Sequence, residues 1–392
     1  MGVKRVAFRC LCLHNGKEGV IVVSAQPYAR PPTIHDVARV AKLSKSTVSN
    51  VIRNAIGVHP NTRERVQAAI VELGYQTNIV ARQLVQQRTT IFGIVIGDLT
   101  NPFHAEMAKL IEGFAAAHGF QVMFCNARSE RDPEMNGIQR MLEHRVAGLL
   151  FLSCKAAAER ARHLIGVRVP AVFVSCSAGW GDVVSVDERA GASAATSHLI
   201  EEGHRRIWHL TDDLPDGRCL CDRHLGYAEA MSLAGLRPVT ICIGRQGNTA
   251  GNTAGNTAGD TAVVDGVVMP LADALLGEAG PSAIFAVNDA RALQIIDVAE
   301  ALGLAVPDRL SVLGFDDAGC AGHARLGLTT VAQPKEQLAQ LAVETLVRRI
   351  GGGSAAEPSR QFLGFQLMVR QSTAAPDQGR DSLCGFPALL SA

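Results

Sequence analysis

The chain has 392 residues, 47% of them hydrophobic, 5% aromatic, and a net charge of +1. That length exceeds one ordinary domain and supplies ample apolar material for two or three. The small net charge conceals an asymmetry: residues 1–90 hold 13 Lys and Arg against 4 Asp and Glu, so the remaining 302 residues carry −8. A basic head on an acidic body suits a chain of which only the head meets a polyanion. No run is apolar enough for a transmembrane span, and Val6–Leu13 is too short, and broken by Arg9, for a signal peptide. The ten cysteines lack the spacing of a zinc site; Cys10 and Cys12, like Cys219 and Cys221, stand too close together for a usual finger. They read as reduced thiols, with no metal and no cofactor implied.

Residues 33–84 divide into three short capped helices and a weaker fourth. Thr33 with Asp36 caps the first, whose apolar face is Val37, Ala38 and Ala41. Ser44 starts the second, where Val48, Val51 and Ile52 point inward at helical spacing. Lys45, Ser46, Thr47, Ser49 and Asn50 are left outside, small hydrogen-bonding side chains and one cation suited to base edges and phosphates. Asn61 with Glu64 is expected to cap the third helix, a stripe of Val66, Ile70 and Leu73 that ends at Gly74. A plain three-helix bundle needs the stripes but not the exposed polar turn. Asn78–Val85 is a short segment whose isolated helix would be marginal in water.

From Thr90 the pattern becomes apolar runs alternating with helical stretches. Ile91–Ile96 reads as a buried strand, followed by a helix from Pro102 to about His118, a strand Phe120–Cys125, a helix around Pro133–Arg145 and a strand Val146–Leu152. Similar runs recur at Val172–Val174, Arg206–Leu210, Ala283–Val287 and Ser311–Phe315. Continuous apolar strands between helices imply parallel sheets covered on both faces, and about 280 residues of this pattern imply two lobes. Gly247–Ala262 stands apart as four tandem tetrapeptides, GNTA three times and then GDTA, without an apolar face; it reads as a solvated loop.

The residues Thr33, Ile34, Asp36–Ala38, Ala41, Ser44, Thr47–Ser49, Thr62-Arg63, Val66, Leu73–Tyr75, Asn78, Ala81 and Leu84 resemble the DNA-binding headpiece of the lactose-repressor (LacI/GalR) family of bacterial transcription regulators. The resemblance continues through Asp98–Phe103, Arg145–Leu149, Gly203–Arg206, Arg223–Tyr227, Ile284–Asp289, Gly314–Asp317 and Leu328–Val331, about 340 of the 392 residues. It implies an all-α helix-turn-helix headpiece on an α/β periplasmic-binding-protein-like core of two doubly wound lobes. The expected division is an extension at 1–30, a headpiece at 31–76, a hinge at 77–89, a core at 90–375 and a tail at 376–392. Residues 1–30 lie outside the resemblance and are expected to be disordered, or to follow from a start codon placed too early. Three crossings between lobes are expected near 188, 317 and 345, so that lobe 1 holds about 90–188 and 318–344 and lobe 2 about 189–317 and 345–375.

The resemblance nominates Thr33, Ser44, Lys45, Ser46, Thr47, Ser49, Asn50, Thr62, Asn78, Ala81 and Leu84 for DNA, with Leu84 as a wedge in the minor groove. For a small effector in the cleft it nominates Asn101, Phe103, His104, Ser175, Arg223, Asn288, Asp316 and Gln333. A guanidinium fork, amides and a carboxylate suit vicinal hydroxyls, and an aromatic ring can cover an apolar sugar face. Each has a structural alternative: Arg223 as half of a salt bridge, Asp316 as a turn cap, Asn288 or Asp289 as a helix cap. Four positions depart from the family pattern. Ser175-Cys176 replaces Asp-Arg, Lys42 replaces a turn glycine, Thr77 replaces a proline, and Asn50 replaces a common Arg. Arg reads guanine and Asn prefers adenine, so Asn50 implies a changed operator base.

No GxSxG elbow, P-loop or HExxH occurs, and the twelve dispersed histidines form no nucleophile–base pair, so an enzyme is not expected. The expectation is a cytoplasmic homodimeric regulator, most simply a repressor. Its partners are double-stranded operator DNA and a sugar-like effector, with no membrane. A solute-binding or sensor protein with the same core is the alternative.

Overall fold

A computed structural model describes residues 11–14, 17–20, 30–76, 89–127, 133–165, 169–176, 179–211, 221–244, 261–265, 267–352 and 357–376. Two compact units divide at Arg88 and Thr89.

The first unit begins with a hairpin, β1 (Leu11–His14) paired antiparallel with β2 (Lys17–Val20). The rest of the extension expected at 1–30, apart from Arg30, lies outside the described residues. The Asn15-Gly16 dipeptide between two four-residue runs is the usual hairpin signal. The headpiece follows as α1 (Ile34–Val40), α2 (Lys45–Ile52) and α3 (Pro60–Leu73). Val37, Val48, Val51 and Val66 close its small core. The start of α3 differs from expectation. His59 occupies the cap position and Pro60 opens the helix, so Asn61 and Glu64 make no capping box. Proline, with no N–H to satisfy and φ already helical, suits the first turn better than a side-chain cap. Gly74 ends α3 in the left-handed conformation, φ +59°.

The second unit carries two sheets. Lobe 1 is six parallel strands in the order β15 (Arg360–Leu363), β7 (Asp182–Val186), β6 (Ala171–Val174), β5 (Gly148–Leu152), β3 (Ile91–Ile96), β4 (Gln121–Asn126). Helices α4 (Pro102–Ala117), α5 (Pro133–Glu143), α6 (Lys155–Ile165) and α11 (Lys335–Ile350) pack with it. Lobe 2 is eight strands in the order β11 (Val267–Pro270), β10 (Thr261–Val264), β9 (Val239–Gly244), β8 (Ile207–Thr211), β12 (Ala283–Ala286), β13 (Ser311–Asp316), β14 (Thr329–Ala332), β16 (Gln366–Met368). Its helices are α7 (Glu188–Glu201), α8 (Asp222–Leu233), α9 (Leu271–Leu276) and α10 (Asp289–Ala301). Strands β5, β6, β7, β8, β12 and β13 are buried along their whole length, as parallel strands covered on both faces must be.

The chain crosses between lobes at Asp187, at Gln333-Pro334 and at Gly364-Phe365. The first agrees with expectation; the other two correct it. Thr329–Ala332 pairs in parallel with β13 and stays in lobe 2, and α11 lies against lobe 1 strands β5, β6 and β7. A four-residue apolar strand carries no mark of which sheet will pair with it. The GDTA end of the repeat is corrected too. Thr261-Ala262 opens β10, where Ala262 is buried; residues 245–260 lie outside the described residues.

The Arg-x-x-Gly-Tyr run of α8 is explained by packing. A Cβ on Gly226 would lie 2.1 Å from the Arg189 carbonyl of α7, so only glycine lets the two helices close. The Tyr227 hydroxyl sits 2.7 Å from the Ile207 carbonyl and accepts the Val239 N–H at 2.8 Å, joining β8 to β9. Among the described residues no helix is long and apolar enough to cross a membrane.

Candidate nucleic-acid interface and ligand cleft

In the headpiece, the Ser44 hydroxyl accepts the Thr47 N–H at 3.0 Å and so satisfies one free donor of α2. Val48 and Val51 turn that helix inward, which leaves Lys45, Ser46 and Asn50 exposed and Thr47 and Ser49 half-buried. The nominated residues divide by what they already bind. Thr33 donates its hydroxyl (2.7 Å) and its N–H (2.9 Å) to Asp36. Those two bonds, helped by Arg30, hold the Asp36 carboxyl well below the usual range. Ser44 lies within hydrogen-bond distance of both the Ser46 and Thr47 hydroxyls. Thr62 is half-buried in the first turn of α3. Lys45, Ser46 and Asn50 are the members that α2 presents outward. Arg53 was not foreseen. It lies one turn beyond Asn50 and donates to its side-chain oxygen at 3.3 Å; its i+3 spacing was the available signal. Asn78, Ala81 and Leu84 lie outside the described residues.

In the second unit, ligand crevices of open sheets lie beyond the strand C-termini. At those ends Ser153, Ser175, Asp316 and Asp317 all have positive φ, the sparsely allowed backbone that gathers at functional sites. Ser175, just past β6 in lobe 1, donates to Gln333 Oε1 at 3.2 Å. Gln333, on the second crossing, donates through Nε2 to Asp316 Oδ1 at 2.7 Å. Asp316, the last residue of β13, lies 3.4 Å from the Arg223 guanidinium. Arg223 donates to Glu188 Oε1 at 3.0 Å and to the Val287 carbonyl at 2.5 Å, and lies over the Phe315 ring, 3.9 Å from its centroid. Its Nε has no hydrogen-bond partner among the described residues. Four nominated residues thus form one chain across both lobes. Asn101 and Asn288 cap α4 and α10, accepting the N–H groups of Phe103 (3.0 Å) and Arg291 (2.9 Å). His104 is held by the Asp98 carbonyl through Nδ1 at 2.7 Å. Phe103 follows the Asn101 cap on α4. It is 1% exposed and packs within the lobe 1 core. Cys176, in place of the expected Arg, points back toward the Phe151 carbonyl, and burial pushes its thiol up to about 12.

Two carboxylates were missed. Glu188 is the first residue of α7 and the closest counterion of Arg223. Asp289, 1% exposed, accepts the Thr330 hydroxyl at 2.6 Å and the Ala318 N–H at 2.7 Å. A Cβ on Gly314 would meet Asp289 Oδ1 at 2.2 Å, which explains the glycine of Gly314–Asp317. Burial first, then mutual repulsion, raises the proton affinity of Asp289. Burial does the same for Asp316 against the pull of Arg223. Among the described residues the cleft offers hydrogen-bond donors and acceptors in quantity.

Comparison with known proteins agrees with this division. Residues 33–78 match the model of bacterial regulatory proteins, lacI family, and residues 196–373 match a periplasmic binding protein-like domain. Catabolite control protein A of Priestia megaterium is 30% identical over 343 residues, 87% of this chain and 99% of that protein. The ribose operon repressor of Escherichia coli (strain K12) is 31% identical over 339 residues, 86% of this chain and 96% of that one. A crystal structure of the Lac repressor dimer bound to operator and the anti-inducer ONPF superposes with a TM-score of 0.70 at 25% identity, covering 88% of this chain and all of that one.

Proposed function

The chain belongs to the lacI family of bacterial regulatory proteins, and from that membership we propose how it regulates: as a homodimeric repressor whose two headpieces read a palindromic operator under the control of a sugar-like effector. It is a DNA-binding transcriptional regulator and not an enzyme. The observation that carries the reading is α2, a Ser44-capped helix with valines inward and Lys45, Ser46 and Asn50 outward. One such helix contacts too few base pairs for specificity, so two copies on an inverted repeat supply the rest. Asn78, Ala81 and Leu84 would form the hinge beside the minor groove. Acting on bacterial DNA, the protein would work in the cytoplasm.

Ser175, Arg223, Asp316 and Gln333 would hold the effector, with Asn101, His104 and Asn288 at the strand and helix ends around them. Hydroxyls of a polyol can replace the bonds these four make with one another, donor for donor. The relatives' names support a sugar: one is a ribose operon repressor.

Selection from a random duplex library with the full-length protein tests the reading. Enrichment of an inverted repeat, with affinity falling steeply as salt rises, is the expected result. Enrichment of a single half-site would remove the dimeric reading, and no enrichment would remove the operator. A thermal-shift screen of neutral sugars and sugar acids should then find a ligand whose effect disappears in Gln333→Ala.

A further inference from the structure

Besides the chain through Gln333, a second tie joins the lobes, and it uses none of the residues assigned to the effector. Glu106 belongs to α4 of lobe 1, but its carboxylate reaches out of that lobe. Oε1 accepts the N–H of Gly319, in the segment following β13 of lobe 2, at 2.5 Å. Oε2 accepts from the Lys335 ammonium at the start of α11, and the same ammonium donates to the Asp317 carbonyl at 2.6 Å. The Asp317 carboxylate is in turn held at 2.7 Å by Arg370, beyond the third crossing. Two ion pairs, Glu106 with Lys335 and Asp317 with Arg370, are thus joined through the Asp317 backbone carbonyl from lobe 1 into lobe 2. A Cβ on Gly319 would lie 2.9 Å from Glu106 Oε1, so a methyl there would push the carboxylate back from the Gly319 N–H.

We propose that Glu106 is a positioning residue that latches the two lobes at the angle where the cleft side chains meet. The tie through Ser175, Gln333 and Asp316 is made of the groups a ligand would engage, so it cannot hold the lobes while it exchanges partners. The Glu106 tie can. It sits three residues beyond Phe103 on α4 and binds backbone and a crossing residue, so it survives a rearrangement of the cleft. Its strength would then set the balance between lobe angles, and a ligand that favours one angle shifts that balance only by its differential affinity. That consequence rests on the effector reading; the latch itself does not.

The test needs no ligand. Spin labels are attached through a genetically encoded ketone amino acid at Glu143 in lobe 1 and Leu233 in lobe 2, both exposed. The full-length labelled chain is diluted tenfold with unlabelled chain, so that distances are read within one copy. The native protein should give one narrow distance distribution. Glu106→Ala should broaden it and shift its mean by several ångströms, and Gly319→Ala, whose methyl crowds the same carboxylate, should move it the same way by less. Glu106→Gln keeps an acceptor for Gly319 but loses the charge pair, and should fall between. Amide exchange at residues 317–320 should rise about tenfold in Glu106→Ala while the strands Leu149–Leu152 and Ile284–Ala286 stay protected. A merely structural role would lower the melting temperature and leave the distances alone. Unchanged distances in Glu106→Ala overturn the latch, and they leave the operator and ligand readings untouched.

Discussion

The headpiece and the interlobe cleft present hydrogen-bonding side chains in opposite states. On α2, Lys45, Ser46 and Asn50 stand within six residues of one helix and are exposed. In the cleft, Ser175, Arg223, Asp316 and Gln333 come from four separated segments, are 2–8% exposed, and bind one another. A surface that meets DNA can wait in water, where its unused donors are solvated. A cleft between two lobes cannot leave a guanidinium or a carboxylate bare, because an unpaired buried charge is costly. Substitutions on the first surface should therefore act on affinity, and substitutions in the second on stability as well.

The largest effect expected from that contrast is at Arg223. Its removal leaves Glu188 and Asp316 facing each other with no cation, and breaking a buried pair from one side costs about 3–5 kcal/mol. Arg223→Ala should therefore lower the urea midpoint of the core steeply as well as remove ligand response. A variant that loses the response at native stability would show that the guanidinium serves the ligand alone. The salt bridge and the ligand contact, set out as rival roles for Arg223 from sequence, would in this protein be two uses of one group.

Next in size is a pH effect from Asp289 and Asp316. In the folded protein burial raises the proton affinity of both carboxyls above that of the unfolded chain, which releases these protons near pH 4. The folded state thus binds the extra proton, so the contribution is full below about pH 4 and is lost as pH rises toward about 8. Asp317, Glu188, Arg223 and Lys335 share the same electrostatic neighbourhood, so the two acids titrate as a pair rather than singly. Melting temperature should fall between pH 5 and pH 8, and Asp289→Asn, which keeps an acceptor for the Ala318 N–H, should flatten the fall. An equal slope in that variant would mean that the proton resides elsewhere.

The same contrast separates what the sequence made legible from what it did not. The headpiece signals are local: Ser44 three residues before Thr47, and valines at helical spacing. They led to the right helices, apart from the start of α3. The alternating body and its two lobes were legible from apolar runs for the same reason. The crossings after 317 were not, because the membership of Thr329–Ala332 is decided by its register with β13, a contact no local pattern encodes. The hairpin β10–β11 went unread although Asp265-Gly266 between valine pairs signals it. In the cleft, Arg223, Asp316, Gln333 and Ser175 were nominated and do meet. Glu188 and Asp289 were missed because an acid in the first turn of a helix looks like ordinary complement to the helix dipole.

On the exposed surface the expected effects are smaller and fall on binding. Asn50→Ala should cost about 1–3 kcal/mol at one base pair and relax discrimination there, leaving the melting temperature unchanged. Asn50 also holds Arg53. Comparing Asn50→Ala with Arg53→Ala across salt concentrations separates a base contact from a phosphate contact. Loss of one charge at a phosphate reduces the salt slope by about one. Equal loss on specific and random duplexes for Asn50→Ala would remove it from the reading face.

The smallest effect lies in the turn between α1 and α2, where Lys42 stands at φ +52°. A left-handed conformation costs an L-residue roughly 1–2 kcal/mol. Glycine would remove that strain but would lose about 0.5–1 kcal/mol in extra chain entropy on folding. The difference favours Lys42→Gly by about 0.5–1 kcal/mol, provided the turn is otherwise undisturbed. The structure meets that condition, because Arg65 holds the turn through the Ala41 carbonyl at 2.6 Å and needs no side chain at position 42. The headpiece melting temperature should therefore rise slightly in Lys42→Gly. Operator affinity should fall only if the lysine meets a phosphate, and that loss would shrink with salt while the gain in stability would not. A headpiece that loses stability with glycine would show that Lys42 makes a favourable contact worth more than its backbone strain.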